Sequence, residues 1–239
     1  MIRQLSFVTC AGNPQVLERN LLASPCLAGG GYGQTIYMGA DSAAAAFNRE
    51  MARQRQAAWL VWVHQDVLLP KGWDSRFLTA LAEAEQIFPR LAVVGLYGVA
   101  GAGSSARRAG HVLDRGTLLK GTMALPCLVD SIDEILFAVR TDSGLQLDPA
   151  LGFDFYGTDL ALTAQERGFE VAVVDAFCEH WSATPQGEIS PALLSRVLPS
   201  AKVFEHKWAH RLPLETPCFS IGKLGDVALQ CSQWASAGQ

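Results

Sequence analysis

The sequence lacks three features that would assign it to a familiar class. Its six cysteines include no C-x-x-C pair, no basic run extends beyond Arg107 and Arg108, and no apolar stretch approaches the roughly 18 residues of a membrane span. The cysteine spacing fits neither a zinc framework nor a small disulfide scaffold. The net charge of -4 argues against nucleic-acid binding by bulk electrostatics, so an anionic ligand must be held locally.

The amino-terminal segment also lacks the long apolar stretch of a secretion signal, because a strand-like pattern begins at once in LSFVTC. This favours a cytoplasmic protein. A length of 239 residues with 49% hydrophobic content is enough to bury a large core. We expect one α/β domain over residues 1–185, with a short helical or irregular extension, residues 186–239, packed on it.

Six short apolar runs, rich in β-branched and aromatic residues, predict the strands of this domain. Their hydrophobicity is continuous rather than alternating, which is typical of a mostly parallel sheet covered by helices on both faces. The runs cover residues 5–10, 35–39, 58–64, 91–98, 134–140 and 170–175.

Helical periodicity occupies several of the intervening segments, and it predicts helices over residues 41–56, 74–88 and 158–167. Two segments rich in glycine and serine, residues 27–34 and 99–111, predict mobile loops. Neither segment has the spacing of a dinucleotide-binding turn or a P-loop, so their glycines alone are weak evidence for phosphate binding.

The third predicted strand ends on HQD, which places His64 and Asp66 at a strand exit. Ligands of open parallel sheets bind beyond the carboxyl ends of the strands. An imidazole and a carboxylate one residue apart can hold a divalent cation and leave positions open for substrate phosphates. The alternative is that Asp66 caps the turn toward Pro70.

Two further strand exits carry groups of the same chemistry. Asp154 and Asp159 flank an aromatic turn, and His180 follows the strand of residues 170–175. Each has a structural alternative, since Asp159 could cap a helix and His180 could be a surface or packed residue. If the exits share one rim, residues 64, 66, 159 and 180 are neighbours around one cation and its bound pyrophosphate.

The order of HQDVLLPKGW, VDSIDEILFAVR and LGFDFYGTDLALTAQERGFEVAVVDAFCEHWS resembles the GT-A glycosyltransferases of the family 2 type, most of all the streptomycin-biosynthesis-type glycosyltransferase-like domain. The resemblance implies a GT-A, Rossmann-like fold. It places Asp66 at the metal-binding acidic position of the D-x-D motif, with His64 in place of the first Asp and His180 as a histidine that approaches the metal. The implied cofactor is Mn²⁺ or Mg²⁺.

The resemblance also implies substrate-binding positions. They are Cys10 and Asn13 for the base or ribose, Asp41 and Asn48 for the nucleotide, and Asp130 or Asp133 for an acceptor hydroxyl. In addition, Arg107 and Arg108 could close over a diphosphate from a mobile loop, although exposed loop arginines are often only solvated.

One motif departs from the resemblance. Inverting members carry an Asp that removes the acceptor proton, and Gly157 occupies that position here. Asp159, or Asp154, would then be the base. The sequence thus predicts an inverting, metal-dependent glycosyltransferase of the hexosyltransferase type, acting on a nucleoside-diphosphate sugar and an acceptor hydroxyl. The alternatives are a non-catalytic binding module that lost its base at Gly157, and a metal-dependent hydrolase or nucleotidyltransferase.

Overall fold

A computed structural model describes residues 5–53, 57–182 and 191–237. The helices are α1 (Pro14–Arg19), α2 (Pro25–Ala28), α3 (Ala43–Arg53), α4 (Trp73–Ile87), α5 (Tyr156–Glu166), α6 (Pro191–Lys207) and α7 (Asp226–Ala237). The strands are β1 (Leu5–Ala11), β2 (Gly33–Met38), β3 (Trp59–Val63), β4 (Val67–Leu68), β5 (Leu91–Gly95), β6 (Tyr97–Ala100), β7 (Arg107–Asp114), β8 (Thr117–Lys120), β9 (Cys127–Leu128), β10 (Ser131–Ile132), β11 (Leu136–Arg140), β12 (Glu170–Val173), β13 (Cys178–His180), β14 (Leu214–Glu215) and β15 (Ser220–Ile221).

A seven-stranded central sheet forms the middle of the molecule, in the order β2-β1-β3-β11-β5-β12-β9. Five of its strands run in one direction, while β11 and β9 oppose them. The predicted α/β class and mostly parallel sheet are therefore confirmed. The run of residues 134–140, expected to be a parallel strand, is antiparallel, because a continuous apolar run marks burial on both faces but carries no information about direction.

Strand β3 shows why the predicted strands lack alternation. Trp59, Val61 and Val63 belong to the apolar cluster that includes α4. Leu60 and Trp62 point the other way, into the cluster that includes α3 and α5. Successive strand side chains point to opposite faces, so a strand that is covered on both faces must be apolar at every position.

The predicted strand of residues 91–98 is two strands, because the chain bends at Leu96 and passes from the central sheet into a second sheet. The second sheet has the order β10-β6-β7-β13-β4, with β8 paired to β7. The predicted loop of residues 99–111 is also wrong over most of its length, since only residues 101–106 separate β6 from β7. Gly110 allows β7 to cross the chain closely at Leu96: a Cβ there would lie 1.9 Å from the Leu96 carbonyl oxygen.

The C-terminal elements α6, α7, β14 and β15 pack on helix α5. Phe204, Trp208 and Val227 form a buried cluster with Leu151, Phe155 and Leu162 of the region around α5. The predicted boundary near residue 185 lies outside the described residues. Within the described ranges, none of the helices has both the length and the apolar character needed to cross a membrane.

Candidate metal site at the strand exits

The chain leaves the central sheet at His64, whose backbone N–H donates to the Ile135 carbonyl of the neighbouring strand at 2.9 Å. A short turn carries it through Asp66 into β4, the edge strand of the second sheet. Strand β13 pairs with β4 in a register that sets His180 opposite Val67. The two sheets thus meet where β3 ends, and their junction brings residues 64, 66 and 180 together.

His64, Asp66 and His180 form a group in which each side chain offers one ligand atom and all three atoms lie within 4.8 Å of one another. The Asp66 carboxylate lies 3.3 Å from His180 Nε2 and 4.0 Å from His64 Nδ1. The side chains are between 14% and 32% exposed, so the group is reachable from solvent but mostly enclosed.

At pH 7 the positive charge beside Asp66 is carried by His180, so a metal ion would bind there by displacing the Nε2 proton of that ring. Burial lowers the pKa of His64 to about 4, so its imidazole is neutral at pH 7. Burial alone would raise the pKa of Asp66, but the hydrogen bond from His180 and the nearby histidine charges hold it below its usual value. Burial also opposes charge on His180, yet its hydrogen bonds to Asp114 and Asp66 raise its pKa to about 9.

Each histidine has a partner for its second ring nitrogen. His180 Nδ1 lies 2.8 Å from the carboxylate of Asp114, and His64 Nε2 lies 2.7 Å from the hydroxyl of Tyr156. With a hydrogen on Nε2, the neutral His64 presents a lone pair on Nδ1, whereas His180 presents one on Nε2 only after that nitrogen has lost its proton. Such contacts orient metal-binding histidines in proteins.

Sequence reasoning misses both Asp114 and Tyr156. Asp114 stands at the carboxyl end of β7, which runs parallel to β13, so the strand-exit rule would find it once residues 107–114 are recognised as a strand. Besides His180, the carboxylate binds Arg115, and although burial opposes it these contacts lower the pKa of Asp114 to about 2. No sequence signal separates Tyr156 from an ordinary core aromatic.

Gln65 ties this site to the exit of β1. Its side-chain oxygen accepts hydrogen bonds from the backbone N–H groups of Gly12 and Asn13, at 3.1 and 3.0 Å. Asn13 in turn caps α1, accepting from the N–H groups of Gln15 and Val16. The predicted nucleotide-side residue Asn13 therefore lies beside the turn that carries the candidate metal ligands.

The other predicted nucleotide-side residues lie on β1 and around α3. Cys10 is half-buried near the end of β1, and burial raises the pKa of its thiol to about 11. Asp41 is exposed before α3. Asn48 bonds to the backbone of Leu147 through both its amide oxygen and its amide nitrogen, each at 2.8 Å, so the structure uses it to fix the loop before α5.

Arg107 and Arg108 do not lie on a mobile loop, because both belong to β7. They begin the strand that Asp114 ends. Arg108 donates to the Pro217 carbonyl at 2.9 Å and lies over the Tyr97 ring. The expectation that this pair lies on a mobile loop is therefore wrong, while its contact with a diphosphate stays a prediction.

Of the two predicted acceptor-side carboxylates, only Asp133 lies near the site. Asp133 is half-buried, accepts from the N–H of Ile135 and interacts electrostatically with His180. Asp130 instead accepts from the backbone N–H of Gly101 at 2.7 Å and so holds the bend after β6.

Asp159 is not a neighbour of the three candidate ligands. It is buried, and its carboxylate binds the indole N–H of Trp208 at 2.8 Å and the ammonium of Lys207 at 2.7 Å. The expectation that residue 159 joins residues 64, 66 and 180 around one cation is wrong, because Lys207 of α6 and the following Trp208 fix its side chain in the C-terminal core. Asp154 accepts from Arg196 at 2.9 Å.

Three comparisons with known proteins bear on this geometry. No family model matches the sequence. The ATP synthase subunits region ORF 6 of Fuscovulum blasticum is 26% identical over 150 residues, covering 56% of this chain and 56% of that protein. The crystal structure of GalNAc-T7 with UDP, GalNAc and Mn²⁺ matches with a TM-score of 0.54 at 12% identity, covering 98% of this chain and 54% of that one.

The inositol-1-phosphate CTP transferase from T. maritima is a more distant structural match, with a TM-score of 0.38 and 12% identity over 82% of this chain and 96% of that chain. The present chain spans about half the length of GalNAc-T7 and of the curated protein. The match to GalNAc-T7 shows the fold: the chain has a GT-A-like α/β architecture, as the sequence predicts.

Proposed function

We propose that this protein is a metal-dependent glycosyltransferase that moves a sugar from a nucleoside-diphosphate sugar to an acceptor hydroxyl. The observation that carries the proposal is the group His64, Asp66 and His180 at the strand exits of a GT-A-like fold. The GalNAc-T7 structure of similar fold contains UDP, GalNAc and Mn²⁺, which supports the same class of ligand here.

The donor atoms fit a divalent transition-metal ion. Two imidazole nitrogens and one carboxylate oxygen suit Mn²⁺ better than Mg²⁺, because Mg²⁺ strongly prefers oxygen ligands. The second nitrogen of each histidine is already oriented by Tyr156 or Asp114. A cation bound there would offset the negative charge that develops on the departing diphosphate.

The remaining parts of the site follow from its position. The end of β1, with Cys10 and Asn13, adjoins the candidate ligands through Gln65 and would face the nucleotide. Asp133, close to His180, would bind a hydroxyl of the sugar or the acceptor. Direct displacement by the acceptor hydroxyl inverts the anomeric carbon, and we propose an inverting reaction.

Manganese binding and turnover test this proposal. The purified protein should bind Mn²⁺ in calorimetry and transfer or slowly hydrolyse a sugar from one member of a UDP-, GDP- and TDP-sugar panel. Asp66→Ala should weaken Mn²⁺ binding at least about 100-fold and abolish turnover, because it removes the anionic ligand. Asp142→Ala, an exposed carboxylate paired with Arg140, is the matched control. Equal Mn²⁺ affinity in wild type and Asp66→Ala would refute the assignment.

A non-catalytic binding module is the second candidate, and Gly157 favours it because a family position for the base holds no side chain. Such a module would bind UDP with Mn²⁺ but release no sugar from any donor. Product analysis after prolonged incubation at high protein concentration separates it from an enzyme.

A further inference from the structure

A carboxylate already lies against Gly157, although it does not come from helix α5. Glu134, between β10 and β11, accepts a hydrogen bond through Oε1 from the Gly157 backbone N–H at 3.2 Å. A Cβ on residue 157 would lie 2.9 Å from Glu134 Cγ and 3.1 Å from the Ile132 carbonyl oxygen. Glycine at this position is therefore what allows the Glu134 side chain to approach the first turn of α5.

Glu134 is connected to the candidate metal site through one residue. Its backbone carbonyl accepts from the Trp62 indole at 3.1 Å and faces the Tyr156 hydroxyl at 3.4 Å. The same hydroxyl lies 2.7 Å from His64 Nε2. Glu134 is thus held on the Tyr156 side of the three candidate ligands.

The surroundings of Glu134 suit a proton acceptor. The residue as a whole is half-buried. Burial and the nearby charge of Asp154 raise the pKa of Glu134 well above its usual value, while Arg196 opposes the shift. A raised pKa makes the ionised carboxylate a stronger base than that of an ordinary glutamate.

Asp154 supplies a second carboxylate close enough to act on the pKa of Glu134. One oxygen of its carboxylate binds Arg196, whose side chain is half-exposed. Its other oxygen, Oδ2, is buried and has no hydrogen-bond partner among the described residues, and the residue as a whole is 9% exposed. This oxygen needs a hydrogen-bond donor that the described residues do not supply.

We propose that Glu134 is the general base of the transfer reaction, in place of the carboxylate that the family resemblance expects at residue 157. The proposal rests on the proposed glycosyltransferase function. In the step, the acceptor oxygen forms a bond to the anomeric carbon, the bond from that carbon to the diphosphate oxygen breaks, and the acceptor proton passes to the Glu134 carboxylate. The nucleoside diphosphate leaves with the electron pair of the broken bond.

The predicted bases are less suitable on structural grounds. The Asp159 carboxylate is committed to Lys207 and Trp208. Asp154 has one carboxylate oxygen committed to the Arg196 guanidinium at 2.9 Å. Glu134 has one backbone hydrogen bond on Oε1 and no cation partner within ion-pair distance among the described residues.

The first test is Glu134→Gln, which keeps the shape of the side chain and an oxygen for the Gly157 N–H. Transfer should fall about 10²- to 10⁴-fold, the usual contribution of general base catalysis. Affinity for Mn²⁺ and for UDP should stay within about twofold, because neither involves the carboxylate. Glu83→Gln, on the exposed face of α4, is the matched control and should keep wild-type transfer.

The second test moves the carboxylate back to the helix. Glu134→Ala should be as inactive as Glu134→Gln, and it removes the Cγ that a side chain on residue 157 would meet. Adding Gly157→Asp to the Glu134→Ala variant should raise its transfer rate at least about tenfold, and the product anomer should still be inverted. Circular dichroism and thermal unfolding establish that each variant is folded.

The outcomes separate the two proposals. A wild-type protein without turnover on any donor overturns the glycosyltransferase function and the base assignment with it. A wild-type enzyme whose Glu134→Gln variant retains full transfer overturns the base assignment alone. A retained anomeric configuration in the wild-type product also overturns it, because a single displacement assisted by one base inverts.

Discussion

The candidate metal site and the start of helix α5 both contain polar side chains, but they differ in the elements that supply those side chains. The metal site takes its side chains from strand ends, with histidines set by partners on other strands and on α5. At the helix, Asp159 is buried between Lys207 and Trp208. Strand ends meet at one rim because the sheet fixes them, whereas an acid at a helix start can serve packing as readily as chemistry.

The largest effect expected from this difference is on stability. Trp208→Ala should lower the free energy of unfolding by about 3–5 kcal/mol, since it empties a fully buried aromatic site and removes the donor to Asp159. Mn²⁺ affinity of the folded variant should be unchanged. Chemical denaturation and calorimetry measure the two quantities.

Trp234→Ala is the matched control, because its side chain is 39% exposed and should cost less than half as much. If Trp208→Ala were to abolish Mn²⁺ binding in a folded protein, the C-terminal core would be part of the metal site and the comparison would fail.

How much of this could be predicted from the sequence differs between the two regions. The exit at residues 64–66 follows from an apolar run that ends on polar groups. His180 does not follow in this way, because it lies on β13 of the second sheet and not at the end of the predicted strand of residues 170–175. Asp159 could not be assigned in this way. Its partners lie 48 and 49 positions further along the chain, and a cap, an ion pair and a base share the same local pattern.

Local sequence patterns also could not predict the direction of β11 or the presence of strand β7. Burial on both faces makes an apolar run without indicating its direction, and the glycines near residue 110 allow two segments to cross rather than form a loop. Because β7 was not predicted as a strand, Asp114 at its end was not recognised as a residue of the candidate site.

An intermediate effect is expected at the orienting contact of the metal site. Asp114→Asn should weaken Mn²⁺ binding about 10- to 100-fold, because the amide no longer holds His180 by a charged hydrogen bond. Stability in the presence of chelator should change far less than in Trp208→Ala. The control Asp142→Asn should leave Mn²⁺ affinity at the wild-type value. If Asp114→Asn also kept the wild-type affinity, the contact between Asp114 and His180 would contribute to packing and not to metal binding.

The smallest effect is a pH dependence of the C-terminal region. Burial opposes the charge of Lys207, but hydrogen bonds to Asp148 and Asp159 raise its pKa above the usual value. The stabilisation is therefore fully present below the unfolded-state pKa of about 10.4 and is lost as the pH rises through the higher folded value. Lys207→Met should cost about 1 kcal/mol at pH 8, and the difference from wild type should shrink above pH 10.4.

Thermal unfolding of both proteins across this range measures the difference. A gap between wild type and Lys207→Met that stays constant to pH 11.5 would mean that packing of the alkyl chain, rather than charge, accounts for the stabilisation.

Gln65 stands between two candidate ligands in the sequence, yet its side chain reaches the other way, to the backbone after β1. Gln65 thus links the turn that carries the candidate metal ligands to the segment after β1. These two hydrogen bonds couple the loop of Gly12 and Asn13 to the 64–66 turn, so we expect a displacement of one segment to be felt at the other.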